Sequence, residues 1–213
     1  LRQSIVPHAP YSVSDKLFEL IDQFEPGSLL SIHNEETPAE NQYFDDKTGE
    51  MKELYKTLNI DDTYFQPSGK TSLQTYLPYL KQPHDLLLVH NTCITAEDLQ
   101  YLNDYAGTVS LCLCPNANWY IERALPDIPM IAASGHNICL GTDSLASNHE
   151  LNIYDEIKTI KAQYAQIALS DLLSWATMGG ARALRLDNMI GSFEPGKRPG
   201  LVQIHEEVSK RIM

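Results

Sequence analysis

Short apolar runs punctuate the chain, and each stops at polar residues capable of chemistry. Ser4 to Val6 leads into Pro7-His8, and Leu29 to Ile32 leads into His33-Asn34-Glu35-Glu36. Leu86 to Val89 ends at His90-Asn91-Thr92, and Val109 to Leu113 at Cys114-Pro115-Asn116. Ile138 to Leu140 ends at Gly141-Thr142-Asp143-Ser144. Such runs predict strands buried on both faces, as in a parallel sheet. Helical patterns lie between them. Ser14 caps a segment reaching about Phe24, with Asp15 in its first turn and an apolar stripe of Leu17, Leu20, Ile21 and Phe24. Thr95 opens a second helix, and Leu151, Ile153, Tyr154, Ile157, Ile160, Tyr164 and Ile167 mark a third. Ser170 caps a fourth that runs towards Leu184.

Alternating strands and helices with polar strand ends predict a parallel α/β architecture, whose ligand sits at the carboxyl ends of the strands. Five such strands fit the later part of a (β/α)8 TIM-type barrel; a five-stranded doubly wound sheet is the alternative. No glycine-rich nucleotide fingerprint follows any strand, which argues against a nucleotide cofactor. The connection from Thr37 to Thr75 is long and predicts helices near Glu50–Leu58 and Ser72–Leu80. Connections of this length act as covers over a site or are peripheral insertions. After Leu184 the chain turns glycine- and proline-rich, and Leu201 to Ile204 reads as a short strand. The expected division is therefore 1–189 as the barrel part (its strands 4–8 region) and 190–213 as the return to a small β domain, the start of a β-sandwich. The opening at Leu1, without Met or lead-in, is that expected of a fragment of a longer protein.

Composition narrows the function classes. The 213 residues are 43 % hydrophobic and 21 % charged, which is ordinary for a globular domain, and the net charge is −12. That charge disfavours nucleic acid and anionic membranes as partners. A small-molecule substrate is expected instead, and a homodimer through exposed helices fits the architecture. The four cysteines, Cys93, Cys112, Cys114 and Cys139, form no C-x-x-C pair and read as reduced, mostly buried thiols of a cytoplasmic protein.

Three strand ends offer metal-ligand chemistry: His33, His90 and Asp143. Imidazole and carboxylate donors on rigid strand ends suit one divalent ion; zinc is favoured by ligand type, and iron and manganese accept the same set. Glu36, three residues after His33, is placed to move protons beside such an ion. Glu35 and Glu40 compete for that role by composition, with a solvated acidic loop as the plainer reading of both.

Taken in order, Pro7-His8-Ala9-Pro10-Tyr11-Ser12, His33-x-x-Glu36, Val89-His90-Asn91, Cys114-Pro115-Asn116-Ala117-Asn118 and Gly141-Thr142-Asp143-Ser144-x-x-Ser147-Asn148 resemble the amidohydrolase superfamily. The nearest branch holds the cytosine, guanine, S-adenosylhomocysteine and aminofutalosine deaminases and the triazine chlorohydrolases. Ile190-Gly191-Ser192-Phe193-Glu194-Pro195-Gly196-Lys197 is similar to that family's return to its small β domain. The resemblance implies a metal-dependent aminohydrolase. His33 would be a ligand, and His90 a ligand or the residue that orients the water and substrate. Asp143 would touch the metal and accept a proton, and Glu36 would pass it to the ring nitrogen and leaving amine. His8 matches a substrate-contacting histidine, with Ser144 and Asn148 shaping the pocket. The long segment after Glu36 looks most like the aminofutalosine group, which implies a 6-aminopurine nucleoside-like substrate. The same ligands also serve other leaving groups, such as chloride, a formimino group or a cyclic amide, and an inactive binding protein could keep the fold. Two departures stand out. The family's H-x-H pair is absent, so this stretch alone is expected to bind metal poorly and be inactive. Pro199-Gly200 also replaces the usual Ala-Asp.

Overall fold

A computed structural model describes residues 3–205 and 208–212. The chain divides into two compact units, Leu1–Val109 and Ser110–Met213.

In the first unit β1 (Leu29–Asn34) and β2 (Asp85–His90) pair in parallel, with His33 opposite Val89 and Asn34 opposite His90. Both strands bury alternate residues: Leu30 and Ile32 on β1, Leu86 and Leu88 on β2. Ser4 to Val6, expected as a strand, is not one. The backbone bond from β1 goes to the chain just after it, His33 N–H to the His8 carbonyl at 3.0 Å. Pro7 and Pro10 remove two of the donors that a ladder would need.

Helix α1 (Asp15–Phe24) starts where expected, with the Ser14 hydroxyl accepting from Leu17 N–H at 3.3 Å. Its buried face is not the expected stripe. Phe18, Ile21 and Asp22 are buried, whereas Leu17, Leu20 and Phe24 are 44 %, 52 % and 66 % exposed. A buried polar contact between Asp22 and His84 accompanies the rotation. The Asp22 carboxylate takes the Gln82 N–H at 2.9 Å and lies 3.3 Å from Nε2 of the fully buried His84, just before β2.

The long connection carries α2 (Pro38–Asp46), α3 (Glu50–Thr57) and α4 (Ser72–Tyr76). The last two were expected; α2 was not. Tyr43, Phe44 and Tyr55 form a small aromatic core with Phe65 against it. Lys47 and Lys52 converge on Asp62, which also accepts the Tyr43 hydroxyl. Helix α5 (Ala96–Tyr101) begins in a reciprocal capping box between Thr95 and Asp98.

The second unit begins within β3 (Thr108–Leu113), whose residues from Ser110 on pair in parallel with β4 (Asn137–Leu140), Cys112 opposite Cys139. Every residue of β3 after Thr108 is buried, which accounts for its unbroken apolar sequence. Cys112, Cys114 and Cys139 are buried free thiols. Helices α6 (Pro115–Glu122), α7 (Ile128–Ala133) and α8 (Ile153–Gln163) follow the strands. Leu151 and Ile167 fall outside α8, which Asn152 caps. Helix α9 (Leu169–Ser174) is capped at Ala168, so Ser170 lies inside its first turn rather than at the cap. A π turn over Trp175–Gly179 then runs into α10 (Gly180–Ala183). Leu201 to Ile204 shifts by one residue to β5 (Val202–His205), which pairs antiparallel with β6 (Val208–Arg211). Among the described residues no helix is long and apolar enough to cross a membrane.

Candidate active site

The first unit brings four of the singled-out residues together. The His8 and His33 rings lie 4.5 Å apart by centroid, and the His33 and His90 rings 5.3 Å. His90 Nε2 is 3.4 Å from Glu36 Oε1. Register alone would not produce this. His33 pairs with Val89, one residue short of His90, so regular strands would send the two imidazoles to opposite faces. His90 has a left-handed φ of +74°, which breaks the alternation at the strand end.

Positive φ at non-glycine residues sorts into two groups. Lys47 and Arg123 are helix C-caps, and Asn59 and Arg185 directly follow one, ordinary places for that conformation. Glu35, His90, Asn91 and Asp143 instead stand at or just after strand ends. Each costs about 1–3 kcal/mol and persists only where surrounding bonds dictate it, as at functional sites. Those bonds are present in the first unit. Asn34 donates to the Asn91 side-chain carbonyl at 3.1 Å and accepts the Tyr76 hydroxyl at 2.8 Å. Asn91 donates from its side chain to the Leu88 carbonyl at 2.8 Å.

His33 has its tautomer set. Its Nδ1 lies 2.6 Å from the His8 carbonyl, an acceptor only, so Nδ1 carries the proton and Nε2 keeps its lone pair. A backbone carbonyl behind a histidine is a usual support for a metal-ligating imidazole. The donor set of His33 and His90, with Glu36 beside them, therefore fits a divalent ion of zinc's type.

Glu35 and Glu40 are not a solvated loop: both side chains are fully buried. Burial, with the Asp98 carboxylate nearby, pushes the Glu35 carboxyl from 4.5 up to about 9. Burial pushes Glu40 up to about 7, opposed by the Ser72 hydroxyl and two backbone N–H groups. A carboxyl whose folded pKa is raised holds its proton more tightly than the unfolded chain does. Its stabilising effect is complete below 4.5 and is lost as pH rises towards about 9. Glu35→Gln is thus expected to gain on the native protein as pH rises from 5 to 9, by up to about 5 kcal/mol, read from urea midpoints by circular dichroism. Parallel pH curves for the two proteins would show that Glu35 is not the group responsible.

The second unit places Asp143, Ser144 and Asn148 in one loop after β4. An Asp143 carboxylate oxygen accepts the Ser147 hydroxyl. Ser144 is exposed, and its hydroxyl accepts the Ala146 N–H at 3.2 Å. The Asn148 side chain donates to the Thr142 carbonyl at 2.8 Å and to Glu156 at 2.7 Å, so its amide holds the loop together. Glu156 is buried and also accepts the Asn116 N–H at 2.8 Å, which joins the loop after β4 to the start of α6. A cavity of about 790 Å³ lies beside this loop; Asn116, Trp119, Asn148 and Lys158 line it, and Asp143 and Ser144 do not.

Sequence reasoning left Ser147 and Glu156 without a role and read Glu40 only as a competitor of Glu36 or a solvated charge, missing its support of the turn. For Glu40 a signal existed: Thr37-Pro38-Ala39-Glu40 has the form of a helix start. Glu156 and Ser147 carried none, because their partners are fixed only by the folded loop.

Comparison with known proteins places the chain in a family. Residues 3–210 match the model of the amidohydrolase family. A 5-methylthioadenosine/S-adenosylhomocysteine deaminase of Saccharophagus degradans is 31 % identical over 205 residues, covering 93 % of this chain and 42 % of the relative. An aminodeoxyfutalosine deaminase of Deinococcus radiodurans is 30 % identical over 197 residues, covering 86 % of this chain and 46 % of the relative. Among solved structures, a zinc-bound adenosine deaminase from Xanthomonas campestris superposes with a TM-score of 0.71 at 27 % identity, covering 93 % of this chain and 42 % of that one. The chain thus spans less than half the length of these relatives. The match extends over nearly all of the sequence, and the chain belongs to the amidohydrolase family.

Proposed function

We propose that this chain is the catalytic part of a metal-dependent aminohydrolase that releases ammonia from an aminated heterocycle, a 6-aminopurine nucleoside-like compound. The observation that carries the reading is the His33–His90–Glu36 array: one imidazole with a preset Nε2 lone pair, a second beside it, and a carboxylate 3.4 Å from the second. The substrate class is supported by the relatives, which are named as deaminases of adenosine-like compounds. Residues 1–189 supply the later strands of a (β/α)8 barrel in this reading, and 190–213 the return to a small β domain.

His33, His90 and Asp143 would hold the ion, zinc by donor type. When bound, such an ion supplies a water that is nucleophilic near neutral pH. Asp143 takes a proton from the attacking water at its carboxylate. Glu36 carries a proton at Oε1 to the ring nitrogen and then to the departing amine. His90 would serve as that ligand or, in the alternative role, orient the attacking water, with its Nε2 3.4 Å from the Glu36 carboxylate. His8, exposed beside His33, contacts the substrate; Ser144 and Asn148 shape the pocket wall.

The test is ammonia release by the zinc-loaded protein, expressed from its whole gene, against adenosine-type nucleosides. Removing the metal with a chelator is expected to abolish turnover, and added zinc to restore it. Metal-loaded protein that releases no ammonia from any aminopurine, aminopyrimidine or aminotriazine would sink the proposal.

A further inference from the structure

We propose that Glu40 is the positioning residue that aims Glu36, acting through the backbone of the Glu35–Glu36 turn. The inference rests on the role given to Glu36 above. Glu40 is the third residue of α2, and its side chain is fully buried. In a reciprocal capping box the glutamate at this position bonds back to the N–H of the cap residue. Thr37 keeps its half of that arrangement, accepting the Glu40 N–H at 3.3 Å. Glu40 does something else. Its carboxylate passes Thr37 and accepts the N–H of Glu35 at 3.0 Å and the N–H of Glu36 at 3.2 Å. The Ser72 hydroxyl, from the first residue of α4, donates to the same carboxylate.

Two consecutive N–H groups can converge on one anion where a left-handed residue lies between them, as in an anion nest. Glu35 supplies that handedness, with a φ of +47°. The turn is pinned from its other side as well. The Glu35 carbonyl accepts Cys93 N–H at 2.9 Å, and a Glu35 carboxylate oxygen accepts the Asn41 amide at 3.1 Å. The next residue, Glu36, leaves this turn with Oε1 directed at His90 Nε2. Without the Glu40 carboxylate, the left-handed residue would lose the anion that favours it, and the Glu36 side chain would lose its fixed origin.

Glu40→Gln keeps the shape but puts an amide N–H₂ where one of the two N–H groups needs an acceptor. In the zinc-loaded protein from its whole gene, kcat on a 6-aminopurine nucleoside is expected to fall about 100-fold while KM shifts less than about threefold. Hydrogen exchange at the Glu35 and Glu36 amides is expected to speed up at least tenfold, with the β1 amides unchanged. Ser72→Ala, a milder change, is expected to move both readouts the same way by a smaller factor, and Ser72→Thr to restore them. A Glu40→Gln protein that is less stable yet keeps native kcat would overturn the proposal, as would unchanged exchange at the two amides. Native protein that released no ammonia would overturn the deaminase reading instead, and the exchange data would still decide the role of Glu40.

Discussion

Glu36→Gln is expected to lower kcat by about 10³-fold while leaving zinc content and KM within a factor of about three. The amide is close in size to the carboxylate, and its oxygen can keep the 3.4 Å approach to His90 Nε2. The Glu40 anchor acts on the backbone N–H of Glu36, so the turn is untouched by the change. What the amide cannot do is accept a proton and deliver it to a leaving amine. The loss should therefore appear in the chemical step alone. Asp143→Asn provides the contrast. If Asp143 is both ligand and proton acceptor, that change lowers zinc affinity as well as kcat, and excess zinc restores only the first. Parallel measurement of zinc by atomic absorption and of ammonia by a coupled assay separates the two patterns. Turnover of Glu36→Gln within tenfold of the native rate would remove Glu36 from the chemistry.

The strands that carry the candidate site were legible because they are buried: an apolar run must end where the chain meets a cleft, and His33, His90 and Asp143 lie at or just beyond those ends. What escaped is what a hydrophobic pattern cannot encode. Helix α2 buries Glu40 beside Tyr43 and Phe44, so its inner face reads as polar in sequence. On α1 the spacing of Leu17, Leu20, Ile21 and Phe24 is helical, but Phe18 and Asp22 face inward, Asp22 in contact with His84, and three of those four residues stay outside. The meeting of His33 and His90 depends on a left-handed φ at a histidine, a conformation that glycine would have advertised and histidine does not. Glu35 and Glu40 read as surface charges because the groups that satisfy their carboxyls, Asn41 for Glu35 and Ser72 with two backbone N–H groups for Glu40, are brought there only by the fold. The legible part of the site is thus the reacting chemistry, and the hidden part is its support.

Two adjacent glycines should give opposite results when each is changed to alanine. Gly179→Ala is expected to destabilise the protein by about 3 kcal/mol or more, whereas Gly180→Ala should be neutral or stabilising by up to about 1 kcal/mol. Both residues have helical dihedrals, near φ −60°, so backbone strain does not separate them. Space does. A Cβ on Gly179 would sit 2.0 Å from the Ile138 carbonyl oxygen, whereas one on Gly180 would meet nothing within 4 Å. The obstacle at Gly179 is the backbone of β4, which cannot swing aside as a side-chain tip could. The approach is held from both sides: the Asn137 side chain donates to the Gly179 carbonyl at 3.0 Å and to the Ser110 hydroxyl at 3.0 Å, tying the π turn to β4 and β3. A π turn bulges the backbone by one residue, and here that bulge ends at the glycine that touches the strand. Relief of the clash must push β4 or the turn away, and three residues beyond β4 the chain reaches Asp143. Gly179→Ala should therefore also lower zinc affinity in protein that remains folded, although no proposed ligand is altered. Urea unfolding of the two variants, with zinc titration of the folded fraction, decides the matter: equal midpoints would mean that β4 has slack at Ile138, and the loop bearing Asp143 would then have to be held by Ser147, Asn148 and Glu156 alone.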